Sequence, residues 1–452
     1  MTALGIIGIV IAVAFLIYAT MKNYEPVYTL IVVALVLAVT NGLNFEGAWL
    51  TTLMEGSTSV FVGMLPIFVT GMLFAAFFAV SGASKRVATS LLNFFTRIFK
   101  PKPGREQDAG IWITICSTCA ISFYFGFFGI NGMVTIITLF PLVTQMMKKY
   151  NLNRKLMPIL LMSNTCLVPI PFSTNFQNVT SAEALGLTTG AGMIPGFVAV
   201  VVVVALNFIL MHHFLKKESQ ICGWVDMPSD PEISEDAKLP SFIFSIIPVI
   251  AVFVLYQVFK LKLPTCFVIS IILELILYFP QLKDAAARKN VRLIELLRVE
   301  ANNGVEKAMY ICVTVAILTG YSEIIINTNA FQSIVSYMTR GSGAGLYIMC
   351  TIAMLIIVFI SCNPVSGFFA NLNQITPYFL QAGLPAAALH RLNMICTTVF
   401  DSLPTATGVI TSVKLCGCSM KDSYKYLFVT TVVTPLIGTC IMMLMFIAFP
   451  FA

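Results

Sequence analysis

The sequence predicts an all-α polytopic membrane protein made of two inverted repeats. Three observations carry this. The 452 residues are 58% hydrophobic and only 10% charged, with a mean hydropathy of +0.90. Soluble domains carry about 25% charged residues, so too few charges remain to coat a water-facing surface. Apolar runs of membrane-spanning length recur along the chain. The order of those runs also repeats between the two halves. The net charge of +7 is modest and points to cytoplasmic loops, not to nucleic acid.

The first run, MTALGIIGIVIAVAFLIYAT, lacks a basic leader and is read as a retained helix rather than a signal peptide. Spans are expected at residues 2–20, 27–43, 60–80, 155–172, 193–215, 241–260, 264–282, 305–326, 386–417 and 425–450, about ten in all. Regions 109–147 and 343–383 differ. Each is two short apolar halves split by a polar tip, FYFGFFGINGM (Phe123 to Met133) and SCNPVSGFFANLN (Ser361 to Asn373).

Orientation follows from the basic residues. Lys85, Arg86, Arg97, Lys148, Lys149, Arg154, Lys216, Lys217, Arg288 and Arg292 mark cytoplasmic segments. Segments poor in Lys and Arg, such as SAEALGLTTGAG, are placed outside. The alternation closes only if both tip-bearing regions are re-entrant hairpins and both termini lie outside. The expected divisions are an extra N-terminal helix (1–26), a first repeat (27–216), a cytoplasmic linker with a connecting helix (217–262) and a second repeat (263–452). Inverted repeats with broken helices characterise secondary transporters that bind substrate near the midplane.

Two spans are broken. SNTCLVPIPFSTNFQN spans Ser163 to Asn178, and FDSLPTATGVIT spans Phe400 to Thr411. Prolines free backbone carbonyls there, and small polar side chains crowd around them. Exposed backbone is tolerated in a membrane only where protein buries it or a cavity is lined. The two tips and two breaks are therefore expected to form one site. Its candidate ligand-facing residues are Asn131, Gly132, Ser163, Asn164, Thr165, Ser173, Thr174, Asn363, Ser366, Asn371, Ser402, Thr405 and Thr407. No basic residue lies within these four stretches, so amides, hydroxyls and helix N-termini are expected to hold an anion.

Buried acids in a membrane are functional candidates. Asp401, beside Pro404, is assigned proton coupling, its rival role being the N-cap of the helix that follows. Glu274 and Glu323 are read as structural. His390 and Arg391 are read as an interfacial, snorkelling pair. Cys116, Cys119, Cys416 and Cys418 are read as small core residues. No catalytic motif, metal site or cofactor is expected.

On YTLIVVALVLAVTNG, SGASKRVA and DSLPTATGVITSVKLCGCSMKDSYKYLFV, the chain resembles the gluconate permease family of the ion transporter superfamily. The closing pattern is similar to that of the 3-hydroxybutyrate permease branch. There DSLP is followed by His-Asn-Gly; here Thr405, Ala406 and Thr407 stand instead. The resemblance implies uptake of a small organic anion by proton symport across the inner (plasma) membrane. It also implies a separate scaffold and transport domain, an elevator motion and a homodimer. A sodium-coupled carboxylate or amino-acid carrier of the same fold is the alternative. A channel or membrane enzyme is disfavoured, since neither a repeated filter nor a catalytic cluster such as HExxH occurs.

Overall fold

The computed structural model describes the whole chain except residues 1, 23, 25, 45, 101–103, 131, 164–166, 228–229, 231–237, 362, 405 and 450–452. It also leaves aside the side chains of residues 2–3, 13, 17, 20–21, 26–28, 30–31, 49–50, 330 and 407. The described residues form helices and connecting turns. Thr2–Met21 (α1) packs on Pro26–Asn41 (α2). A π-helical turn, Gly47–Leu53, leads into Met54–Val80 (α3), followed by the amphipathic Ala83–Ile98 (α4). Glu106–Phe127 (α5) and Gly132–Lys149 (α6) form a first helical hairpin. A 3-10 turn at Arg154–Leu156 opens the first broken segment, Met157–Leu161 (α7) and Phe176–Ala184 (α8). Met193–Ile221 (α9) follows, and Phe242–Gln257 (α10) stands between the halves.

The second half begins with Leu263–Leu277 (α11) and Phe279–Arg288 (α12), bent by 70° at Tyr278. Then come Leu293–Ile326 (α13) and Asn329–Met338 (α14). Ala344–Ile360 (α15), Pro364–Ala370 (α16), a π-helical turn at Asn371–Ile375 and Thr376–Gln381 (α17) make a second hairpin. The second broken segment is Ala386–Val399 (α18) and Thr407–Leu415 (α19). Met420–Phe428 (α20), a π-helical turn and Thr434–Ala448 (α21) end the chain.

Among the described residues, five helical stretches are long and apolar enough to cross a membrane, or six if the bent α11–α12 pair counts as one. This is a multi-pass membrane protein. The count by length is below ten because several apolar helices, such as Val32–Asn41, Phe242–Gln257 and Ala344–Ile360, are shorter than 18 residues and the expected spans 155–172 and 386–417 are broken. Among the described residues of the region 155–172, α- and 3-10-helical turns cover Arg154–Leu161, and the chain at Pro169 and Pro171 is in turns. In contrast, α13 starts twelve residues before the expected 305, because Leu293, Leu296 and Leu297 continue its apolar face between charged residues.

The packing is reciprocal. Helix α3 lies along α13, and α9 along α21; α2 packs on α13 while α11 packs on α3. Helix α5 packs on α9 and α15 on α21. Where the broken segments meet, α8 packs on α18 and α7 on α19, so the two cross antiparallel. The α3–α13 contact depends on small residues, as lipid offers no hydrophobic drive for association. A Cβ at Gly320 would collide with the Leu53 carbonyl, and one at Gly304 would lie 3.2 Å from the Met72 carbonyl.

A buried arginine fixes one end of this crossing. Nε of Arg154 donates to the Cys416 carbonyl at the end of α19 (2.5 Å), and its guanidinium pairs with Asp230 (2.6 Å) and stacks on Trp224. Burial pushes the Asp230 carboxyl up, but hydrogen bonds from Arg154 and the Met227 N–H outweigh it and hold it below the usual range. An acid depressed in this way adds stability above its unfolded value and loses it as pH falls through the folded one. The stability gap between wild type and Asp230→Asn is therefore expected to be full at neutral pH and to close below about pH 4. Melting temperatures measured against pH check this; a gap independent of pH would remove the charge from the explanation.

Candidate functional site

The four interrupted stretches meet. In the first hairpin, the Ser122 hydroxyl lies 2.9 Å from that of Ser163 at the start of the first break. The Phe127 carbonyl near the tip accepts from the Thr174 N–H (2.8 Å) at its end. The second hairpin reaches the second break through the Phe359–Phe400 rings, 5.5 Å apart. Gly408, at the start of α19, lies against Met162 at the end of α7. The Phe176–Phe368 rings, 6.3 Å apart, join α8 to the second hairpin.

Gly129 shows why the first tip is glycine-rich. Its φ is +81°, and a Cβ there would lie 2.6 Å from the Thr174 carbonyl oxygen. Both facts exclude a side chain. At the second tip, the Asn363 side chain caps α16 by accepting from the Val365 and Ser366 N–H groups (2.9 and 3.1 Å). Pro364 then occupies the first helical position, where no N–H is needed.

Several expected ligand-facing residues are occupied by the protein itself. Ser173, Thr174, Ser366 and Asn371 are fully buried. Asn178 donates to the Ser173 hydroxyl (3.2 Å), Ser366 donates to the Val315 carbonyl, and the Asn371 amide donates to the Met354 carbonyl. These bonds hold the breaks in shape. Polar atoms left without a protein partner include the Ser402 hydroxyl and the Asn371 carbonyl oxygen. Gly132 opens α6, and Thr407 opens α19. Asn131, Asn164, Thr165 and Thr405, and the side chain of Thr407, lie outside the described residues.

Asp401 sits in the turn after α18, half-buried, and no charged side chain among the described residues acts on it. The N-cap of α19 is Ala406, with no side-chain cap. The capping role considered for Asp401 is therefore overturned: it lies too far upstream of the first free N–H groups.

The interfacial reading of His390 and Arg391 is also overturned, as both are fully buried on α18. Arg391 reaches across to the first half. Nε donates to the Ala191 carbonyl (2.6 Å), and the terminal nitrogens donate to the carbonyls of Thr189 (2.5 Å) and Pro169 (3.3 Å) and to Oδ1 of Asn178 (3.1 Å). His390 Nδ1 is 2.8 Å from the Ser181 hydroxyl. No carboxylate among the described residues pairs with Arg391. A fixed cation thus rests against the first break, although none occurs in its linear sequence. The one signal was an arginine within an apolar span, which a membrane admits only at a cost.

The sequence matches the profile described as GntP family permease over residues 4–278. The chain belongs to the GntP permease family. It is accordingly a membrane transporter and not an enzyme. The match takes in the first hairpin and first break and ends after α11. No curated protein matches the chain.

Two outcomes test the permease's site geometry. Gly129→Ala is expected to abolish transport, whereas Gly126→Ala, whose Cβ meets nothing within 4 Å, is expected to be tolerated; uptake by both variants at equal expression checks this. Arg391→Gln removes bonds from a charged donor and leaves buried carbonyls unpaired, so it is expected to destabilise the protein by about 3 kcal/mol or more. Arg391→Lys keeps the charge but not the fork, and is expected to fall between. Thermal unfolding in detergent is the measurement.

Proposed function

We propose that this permease takes up a small organic anion by proton symport, through an elevator motion of two inverted repeats. The anion is a hydroxy acid or sugar acid, such as 3-hydroxybutyrate or gluconate. The observation that carries the anion reading is Arg391. Its guanidinium stays charged inside the protein and has no carboxylate partner among the described residues, so in this reading the site prefers negative charge. All four of its observed bonds go to the protein, so it acts on the ligand through its field. The N-termini of α6, α8 and α19 begin at the meeting point and add partial positive charge.

The reciprocal packing of α2 through α9 with α11 through α21 supports the repeat boundaries 27–216 and 263–452, with 217–262 connecting them. In this reading the two hairpins are re-entrant from opposite faces, both termini lie outside, and the inner (plasma) membrane houses a homodimer. Asn131, Asn164, Thr165, Asn363, Ser402, Thr405 and Thr407 are the residues we assign to the ligand. Gly132, Ser163, Ser173, Thr174, Ser366 and Asn371 shape the cradle. Asp401 is the acid we assign to the coupled proton, since it does not cap the helix that follows and no charged side chain among the described residues acts on it.

Uptake into proteoliposomes tests the reading. An imposed inward proton gradient is expected to drive accumulation of radiolabelled gluconate or 3-hydroxybutyrate, and Asp401→Asn to abolish accumulation while exchange persists. A strict sodium requirement with no response to the proton gradient would replace proton symport by the sodium-coupled alternative.

A further inference from the structure

A second acid lies outside the meeting point of the breaks. Glu274, on α11, is fully buried, and neither of its carboxyl oxygens has a hydrogen-bond partner among the described residues. The structural role expected for it from sequence would require such a partner. Ser270, one turn earlier on the same face, is also fully buried with an unpartnered hydroxyl. Near the tip of the first hairpin, the Tyr124 hydroxyl is also buried, with no hydrogen-bond partner among the described residues. Tyr278 lies within electrostatic range of both Glu274 and Tyr124, but its own hydroxyl is engaged with the Phe244 and Ser245 carbonyls of α10 (3.2 Å each).

The surroundings are apolar. Phe74 and Phe78 of α3, Phe125 of α5, Val249 and Val252 of α10 and Phe267 of α11 belong to one core. Phe78 meets Phe125 edge-on at 6.1 Å, so the first hairpin packs directly on this body. The titratable groups on neighbouring elements are few. Helix α10 contributes only Tyr256, α11 only Cys266, and α5 contributes Tyr124, Cys116 and Cys119, with Glu106 and Asp108 at its far end. Helix α3 has Glu55 in its first turn; α12, past the bend, carries Lys283, Asp284 and Arg288. Helix α4, against α10, carries Lys85, Arg86 and Arg97. None of these charges acts on Glu274.

We propose that Glu274 is a second proton-binding carboxyl of the permease, placed where the first hairpin moves against the α3–α10–α11 body. An ionised carboxylate buried without donor or cation is costly enough that the packed state holds the neutral acid. When the hairpin withdraws, water enters. The Glu274 O–H bond then breaks, the proton passes to that water, and the carboxylate is left solvated one turn from the Ser270 hydroxyl, which can donate to it. Re-packing requires a proton to be taken back. Hairpin position and proton occupancy are thereby linked. This rests on the proton-symport reading.

Infrared difference spectroscopy of the permease in lipid, between wild type and Glu274→Gln at neutral pH, is the direct test. The expected result is a carboxylic acid C=O band present in wild type and absent from the variant. Glu274→Asp, which keeps an acid but moves its band, serves if the glutamine variant does not fold. A difference spectrum with carboxylate bands alone overturns the proposal. The proton-to-substrate ratio during uptake is expected to fall by one proton in Glu274→Gln; an unchanged ratio overturns the coupling role. If wild-type accumulation ignores the proton gradient, the symport reading and the coupling role fall together. The infrared band then still decides whether Glu274 carries a proton.

Discussion

The broken segments exist because two arginines complete them. A helix interrupted inside a membrane leaves carbonyls that lipid cannot satisfy. Arg154, ahead of the first break, takes the carbonyl of Cys416 beyond the second; Arg391, ahead of the second break, takes those of Pro169, Thr189 and Ala191 in and beyond the first. Each half thus supplies the donor that the other half lacks. A guanidinium suits this role because five N–H groups in one plane serve several carbonyls at once. Remove either and the antiparallel crossing of α7–α8 with α18–α19 loses the bonds that let the chain stay non-helical there.

The two clamps are alike in geometry but not in charge. Arg154 is neutralised by Asp230 in the loop after α9. Arg391 is surrounded by carbonyls and one amide, whose dipoles solvate its charge without cancelling it. The difference gives the assembly one structural end and one end with an unspent positive field. A neutral cradle with a nearby fixed charge attracts an anion without gripping it, which suits a carrier that must also release.

Much of this was legible in the chain because the interruptions are local. Gly129, Pro171, Asn363–Pro364 and Pro404 mark tips and breaks by their own backbone chemistry, and the structure interrupts its helices at each. What the sequence could not reveal depends on distant partners. Arg391 is separated by about 200 residues from every carbonyl it holds, so hydropathy alone sends it to the interface. Hydroxyls are ambiguous in sequence for a related reason. Ser and Thr in apolar helices commonly bond backwards, as Thr397 does to Asn393 and Thr398 to Ile395, and composition does not distinguish these from hydroxyls that face a ligand.

Charge accounting links the fixed cation to the acids. In the proposed cycle the empty site holds Arg391 and an ionised Asp401, and is neutral. A monovalent anion entering beside Arg391 would make it negative unless Asp401 takes up a proton, so anion binding and proton binding favour each other. By linkage the same is true in reverse: protonating Asp401 removes a negative charge from the site and so favours the anion. With one proton the loaded site is again neutral and can cross the membrane field without bias. Glu274 changes that balance. It lies on α11, in the core on which the first hairpin packs, not in the cradle, so in the proposed cycle its proton answers to hairpin position and not to the ligand. Two acids in two places can therefore divide the work: one registers the anion, the other registers the motion.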